Sequence, residues 1–238
     1  MNPKIDRTTA LGSFALVVAL SAAWSAQSQD AQPHYLTIAP LDQYLIADRN
    51  AEIALARSAA PESISRDAEV LVLGRHGYET AVKGKNGFVC EVDRAWTSDF
   101  DYPDFMNPTV REPICYNAAA AQSILPRVFK LTGFAMAGQT KTQVFDNIKA
   151  AYNKKELPMP GPGAMSYMMS KQTYFGPFNG YGSPHLMFYF PRTDNMAWGG
   201  GLPGSPVIVH QDAPEPITTF VIPVSKYSDG TAAPTEAH

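Results

Sequence analysis

The run Glu69–Trp96, EVLVLGRHGYETAVKGKNGFVCEVDRAW, decides what kind of body this chain can build. EVLVLG, YETAVK and FVCEV are rich in β-branched and aromatic residues, and two Gly-containing segments, Arg75-His76-Gly77 and Gly84-Lys85-Asn86-Gly87, separate them. Asn86-Gly87 readily takes the positive φ values of a tight hairpin turn, so the stretch is expected to fold as an antiparallel meander. In the third run Phe88, Cys90 and Val92 alternate with Val89, Glu91 and Asp93. Period-two alternation predicts one buried face carrying Cys90 and one face at least partly wet.

Cys90 has one possible partner in the chain, Cys115. Whether the two thiols are oxidised depends on compartment, and the first residues address that. MNPKIDRTTALGSFALVVALSAAWSAQSQD sets Lys4 and Arg7 ahead of an apolar run from Ala10 to about Ala23, followed by small residues suited to cleavage, the layout of a secretory signal. The run is shorter than the roughly 20 apolar residues of a membrane-spanning helix. Export to a periplasmic or extracellular space is therefore expected, with a Cys90–Cys115 disulfide closing the segment between them.

Removing residues 1–28, which carry Lys4, Arg7 and Asp6, takes the net charge from −3 to −4. A mildly acidic surface argues against nucleic acid and against anionic membrane surfaces as partners. No integral membrane span is expected after cleavage.

Upstream of the meander, residues 29–47 read as a linker, and ADRNAEIALARSAAP reads as a helix capped by Asp48 or Asn50 and ended by Pro61. Downstream, TSDFDYPDFMNPTVREPI has no sustained period and reads as a long ordered loop that carries Cys115 at its far side. Asp99, Asp101 and Asp104 suggest calcium, but the central Gly and distal Glu of an EF-hand are missing, so the segment reads as a solvated acidic loop. Asn117 is placed to cap a helix through AAAAQSIL, where Pro126 must begin a new segment or kink the old one. Thr140 and Gln143 form a capping box ahead of a helix whose Val144, Phe145, Ile148, Ala151 and Tyr152 make one apolar stripe.

After LPMPGPG the remaining runs, AMSYMMS, HLMFYF, PVIVHQ and TTFVIPV, read as strands, with Pro223 at an edge or a strand end. The expected fold is α+β: an antiparallel sheet of about six or seven strands with two or three helices packed on one side. Its single domain spans residues 48–231, with 232–238 as a disordered tail.

Several catalytic patterns are missing. No serine sits in G-x-S-x-G, no H-E-x-x-H occurs, and neither a phosphate-binding P-loop nor a dinucleotide fingerprint is present, so no cofactor is expected. The leading reading is a non-catalytic ligand-binding or envelope-associated protein that takes an unknown small-molecule or envelope ligand. Its surface would be made by Arg75, His76, Tyr174, Tyr181, His185 and Trp198, since aromatic and polar side chains on loops suit recognition. The alternative is a hydrolase pairing His76 or His185 with Ser183 or Ser205. The third is copper(I) held by Met169, Met187 and His185, because soft thioethers select that ion. In an extended MSYMMS, however, Met165 and Met169 face away from Met168, which is how methionines fill an ordinary core.

LVLGRHGYETAVKGKNGFVC, PGAMSYMMS, PHLMFYFP, LPGSPV and TTFVIPVSKYSDGT together resemble a group of uncharacterised exported bacterial proteins, over roughly Asp48 to Thr231. The resemblance implies export and one shared domain. It carries no catalytic residue, substrate or cofactor.

Overall fold

The structure, a computed structural model, describes residues 35–211 and 214–234. The expected signal at 1–28, the start of the linker and residues 235–238 of the tail lie outside the described residues. Eight strands, β1 (Glu69–Gly74), β2 (Gly77–Val82), β3 (Val89–Asp93), β4 (Glu112–Tyr116), β5 (Met165–Met168), β6 (His185–Pro191), β7 (Ile208–His210) and β8 (Ile217–Pro223), form one sheet. The strand order is β2-β1-β3-β4-β5-β6-β8-β7. With its helices this is an α+β body, slightly larger in strand number than expected.

The hairpin at His76 forms, pairing β1 with β2 antiparallel. The turn at Asn86 does not make a second one. β3 instead runs parallel to β1, with Val70 opposite Cys90, so the sheet is mixed. The cause is local: Gly84 passes so close to β1 that a Cβ there would lie 2.2 Å from the Glu69 nitrogen. Lys85 N–H donates to the Asp67 carbonyl, and Asn86 Nδ2 donates to the Ile64 carbonyl. The glycine-rich turn thus carries the chain across the end of β1 to its other edge.

The expected loop before Cys115 closes on a strand, β4, that pairs with β3 residue for residue, Cys90 opposite Cys115 and Asp93 opposite Glu112. The Cys90–Cys115 disulfide therefore joins neighbouring strands rather than a strand and a loop. Pro113 is tolerated within β4 because β5 pairs only with Cys115 and Tyr116. Pro223 ends β8, as its missing N–H requires.

Helix α1 (Arg49–Arg57) starts where the Asp48 side chain accepts from Asn50 N–H, and a short α2 (Glu62–Ser65) follows it. Asn117 caps α3 (Ala118–Ser123), and Pro126 begins a separate helix, α4 (Leu125–Met136), rather than kinking the first. The Thr140–Gln143 box opens α5 (Lys141–Asn153). Leu71, Leu73, Ile114 and Tyr116 pack against Val128 and Leu131 of α4 and Val144 and Ile148 of α5. Val70, Cys90, Val92 and Cys115 pack against Ala56 and Ala59 on the opposite face. Three helices thus gather on one side and α1 covers the other.

Coverage of both faces overturns one expectation about β3. Glu91 and Asp93, read as partly wet, are 0% and 5% exposed, because their face lies under α4 and α5. Beside them Arg94, fully buried, donates to Glu52 of α1 at 2.8 Å and to the Tyr44 carbonyl at 2.9 Å, while Glu52 also accepts from Leu73 N–H. Tyr44 itself packs against Trp96 with tilted rings 4.8 Å apart, so residues 35–47 are part of the body and not a free linker. At the other end Ala232 pairs with Lys226, and Ala233 N–H donates to the Ser225 carbonyl, which extends the ordered chain to Pro234. All described residues belong to one compact unit.

Candidate functional site: a cleft with an acidic floor

Side chains that alternate along β4, β5, β6, β8 and β7 put Tyr116, Met168, Met187, Tyr189, Thr219, Val221 and His210 on one face of the sheet. Over this face opens a cleft of about 1050 Å³. Its walls are the segment after β3, including Ser98, Asp99, Phe100 and Tyr102, and the loop before β6, including Phe175, Asn179, Tyr181 and Ser183. Two hydrogen bonds clasp these walls: Tyr102 hydroxyl donates to the Phe175 carbonyl at 2.7 Å, and Asn179 donates to the Tyr102 hydroxyl at 2.9 Å. Asp104, expected in a solvated acidic loop, is buried and accepts from Phe178 N–H and from Asn107. Gly176 fits only because it lacks a Cβ, which would lie 2.5 Å from Asp104 Oδ2.

The floor is unusually acidic. Asp93 and Glu112, directly opposite on β3 and β4, both border the cleft, with Arg127 of α4 and Glu215 beside them. Asp93 accepts from Tyr116 hydroxyl at 3.2 Å and lies beside the Glu91 carboxyl. Burial pushes Asp93 up to about 6, against the pull of Arg127, Tyr116 and a hydrogen bond from protonated Glu91. Glu112 is pushed up to about 8, first by burial and then by the neighbouring Asp93 charge, and it accepts only from Ser98. Glu91, just behind the floor, is raised well above the ordinary carboxylate range by burial and by Asp93, so its carboxyl is held protonated. Arg127 donates to Glu215 Oε2 and to the Thr97 carbonyl, leaving Glu215 Oε1 without a donor. Burial works to lower Arg127, but the Glu215 charge and hydrogen bond outweigh it and keep the guanidinium charged.

The residues proposed from sequence divide in two. Tyr181, His185 and Ser183 border the cleft, and Tyr174 supports Tyr181 ring to ring at 5.1 Å. His185 Nδ1 lies 2.8 Å from the Ser183 backbone carbonyl and not from its hydroxyl, and burial lowers its pKa. His210, in contrast, pairs with Asp99 at 2.8 Å across the mouth. Arg75 and His76 sit exposed on the β1–β2 hairpin, where Arg75 pairs with Asp42, and neither borders the cleft. Trp198 stacks on Phe220 at 4.9 Å, on the reverse face of the sheet, with Ser205 in the same connecting segment. Met187 and His185 share the cleft with Met168, whereas Met169 does not border it, so the proposed Met169–Met187–His185 set is not assembled there. Among the described residues no group of three His, Cys, Asp or Glu side chains is placed to hold a metal ion.

Asp93, Glu112, Arg127 and Glu215 are functional candidates that a reading of the chain alone passes over. The signal available was the pair of acids in EVD on a strand otherwise built for burial. No protein-family model matches the chain, nor does a curated protein or a solved structure.

Proposed function

We propose that the chain is an exported binding protein whose cleft takes a small organic ligand. The observation that carries this reading is the cleft itself: an aromatic mouth at Tyr102, Phe175 and Tyr181 leading to a floor of buried carboxyls where Glu215 Oε1 lacks a donor. A concave, largely preformed site with a few converging polar groups is what small-ligand recognition requires. Unpaired buried acceptors cost the empty protein stability and are satisfied when a ligand supplies donors. Export is supported by the leader layout at the chain start and by the disulfide between β3 and β4.

Native mass spectrometry of the protein isolated from its exporting cells tests this. The expected result is a co-purifying small molecule that is lost in Thr219→Trp, which fills the middle of the cleft. A bare protein, with no compound in a metabolite panel raising its melting temperature, would contradict the reading.

One observation favours a second reading, hydrolysis by paired carboxyls. Between about pH 6 and 8 Asp93 is ionised while Glu112 keeps its proton, the division of labour between a general base and a general acid. Turnover of ester, amide or glycoside probes should then show a bell-shaped pH profile with limbs near those values and vanish in Glu112→Gln. Undiminished turnover in Glu112→Gln would exclude this reading.

A further inference from the structure

Resting on the reading of the cleft as a binding site, we infer that its floor receives the cationic end, an ammonium or guanidinium group, of a ligand whose apolar body lies towards the aromatic mouth. The argument is a balance of charge and hydrogen bonds. Four acids, Asp93, Asp99, Glu112 and Glu215, border the cleft, and among the described residues Arg127 is the one guanidinium that borders it with them. That guanidinium is committed to Glu215 and to the Thr97 carbonyl. Arg94, the next cation, is fully buried behind the floor and committed to Glu52 and the Tyr44 carbonyl. Glu91 behind Asp93 is held protonated and Asp99 at the wall pairs with His210, so neither alters the balance at the floor.

One oxygen at this floor, Glu215 Oε1, has no donor, and Glu215 is a buried residue. Buried acceptors of this kind are satisfied by N–H donors, and a charged donor makes the stronger bond. An anionic ligand end would meet like charge, and a neutral hydroxyl would leave the excess negative charge uncompensated. An arriving ammonium also lowers both floor pKa values, so binding releases protons near neutral pH. At the opposite end Phe175 and Tyr181 offer ring surface, with Tyr181 three-quarters exposed.

The test uses the full chain after leader removal and three probes of one shape: phenethylamine, 2-phenylethanol and 3-phenylpropanoate. Calorimetry at neutral pH should show phenethylamine binding at least about tenfold more tightly than either of the others, with proton release that differs between buffers. Asp93→Asn and, as a second variant, Glu112→Gln should each weaken the amine by about tenfold and leave the alcohol unchanged, in proteins whose circular dichroism matches the parent. Equal or tighter binding of the alcohol or the carboxylate overturns the cationic preference, as does an absence of amine binding. If those neutral or anionic probes still saturate from Tyr181 and are lost in Thr219→Trp, the binding cleft stands and only the cationic preference falls. Failure of every probe together with a bare native protein removes both.

Discussion

Glu112 shows at the scale of one residue what the cleft costs the empty protein. Its folded pKa of about 8 lies above the ordinary 4.5, so between those values the folded chain binds more protons than the unfolded chain. Stability must then fall as pH rises through that window and level off above it. Asp93 adds a smaller loss in the same direction between 3.8 and about 6. Glu112→Gln, which keeps an acceptor for Ser98 but cannot ionise, is expected to gain on the order of 4 kcal/mol near pH 8 and little near pH 4. Urea unfolding across that range checks it. An equal effect at both ends would mean that the carboxyl is not titrating in the fold. Residues that trade stability for an unsatisfied polar face are the ones expected at a binding site. None of this was legible from EVD and EPICY alone, because the meeting of Asp93 with Glu112 depends on a register between strands separated by a long irregular segment.

The elements that shape the floor are held by two devices. Glu52 and Arg94 tie α1, β1 and the turn after β3 in a network without access to water. Removing one partner of such a pair strands the other charge, so Glu52→Gln is expected to cost about 3–5 kcal/mol in denaturant unfolding. A loss below about 1 kcal/mol would show that the pair is replaceable. The disulfide closes a separation of 25 residues, and the double variant Cys90→Ala, Cys115→Ala should lose about 3 kcal/mol while keeping its far-ultraviolet spectrum, since β3 and β4 remain paired along five residues. A wholly unfolded variant would contradict that. At this scale the sequence was most readable where signals are local: the Asp48, Asn117 and Thr140 caps, the His76 hairpin and the ends of the late strands all lie where their residues direct. It was least readable at Asn86-Gly87, where a turn suited to a hairpin is overridden by the close passage of Gly84 against β1.

For the molecule as a whole, a sheet roofed on one half by α3–α5 and open on the other half explains why a cleft exists at all. The helices cover the β1–β4 half, and β5–β8 extend beyond them, so the same sheet face is core at one end and ligand floor at the other. Asp93 and Glu112 stand at the boundary, shielded from water by the helices yet bordering the cleft. Candidates such as Tyr181 and His185 were found from sequence because aromatic and histidine residues on loops stand out. Arg75, His76 and Trp198 stood out for the same reason and lie elsewhere, since loop composition carries no information about which end of a sheet a loop reaches. The most direct test of a floor made of buried carboxyls is a carbon-13 NMR titration of the Asp93 and Glu112 carboxyl carbons in the ligand-free protein. The account predicts midpoints near 6 for Asp93 and near 8 for Glu112. Midpoints for both at ordinary carboxylate values, about 4, would show two solvated acids and contradict it.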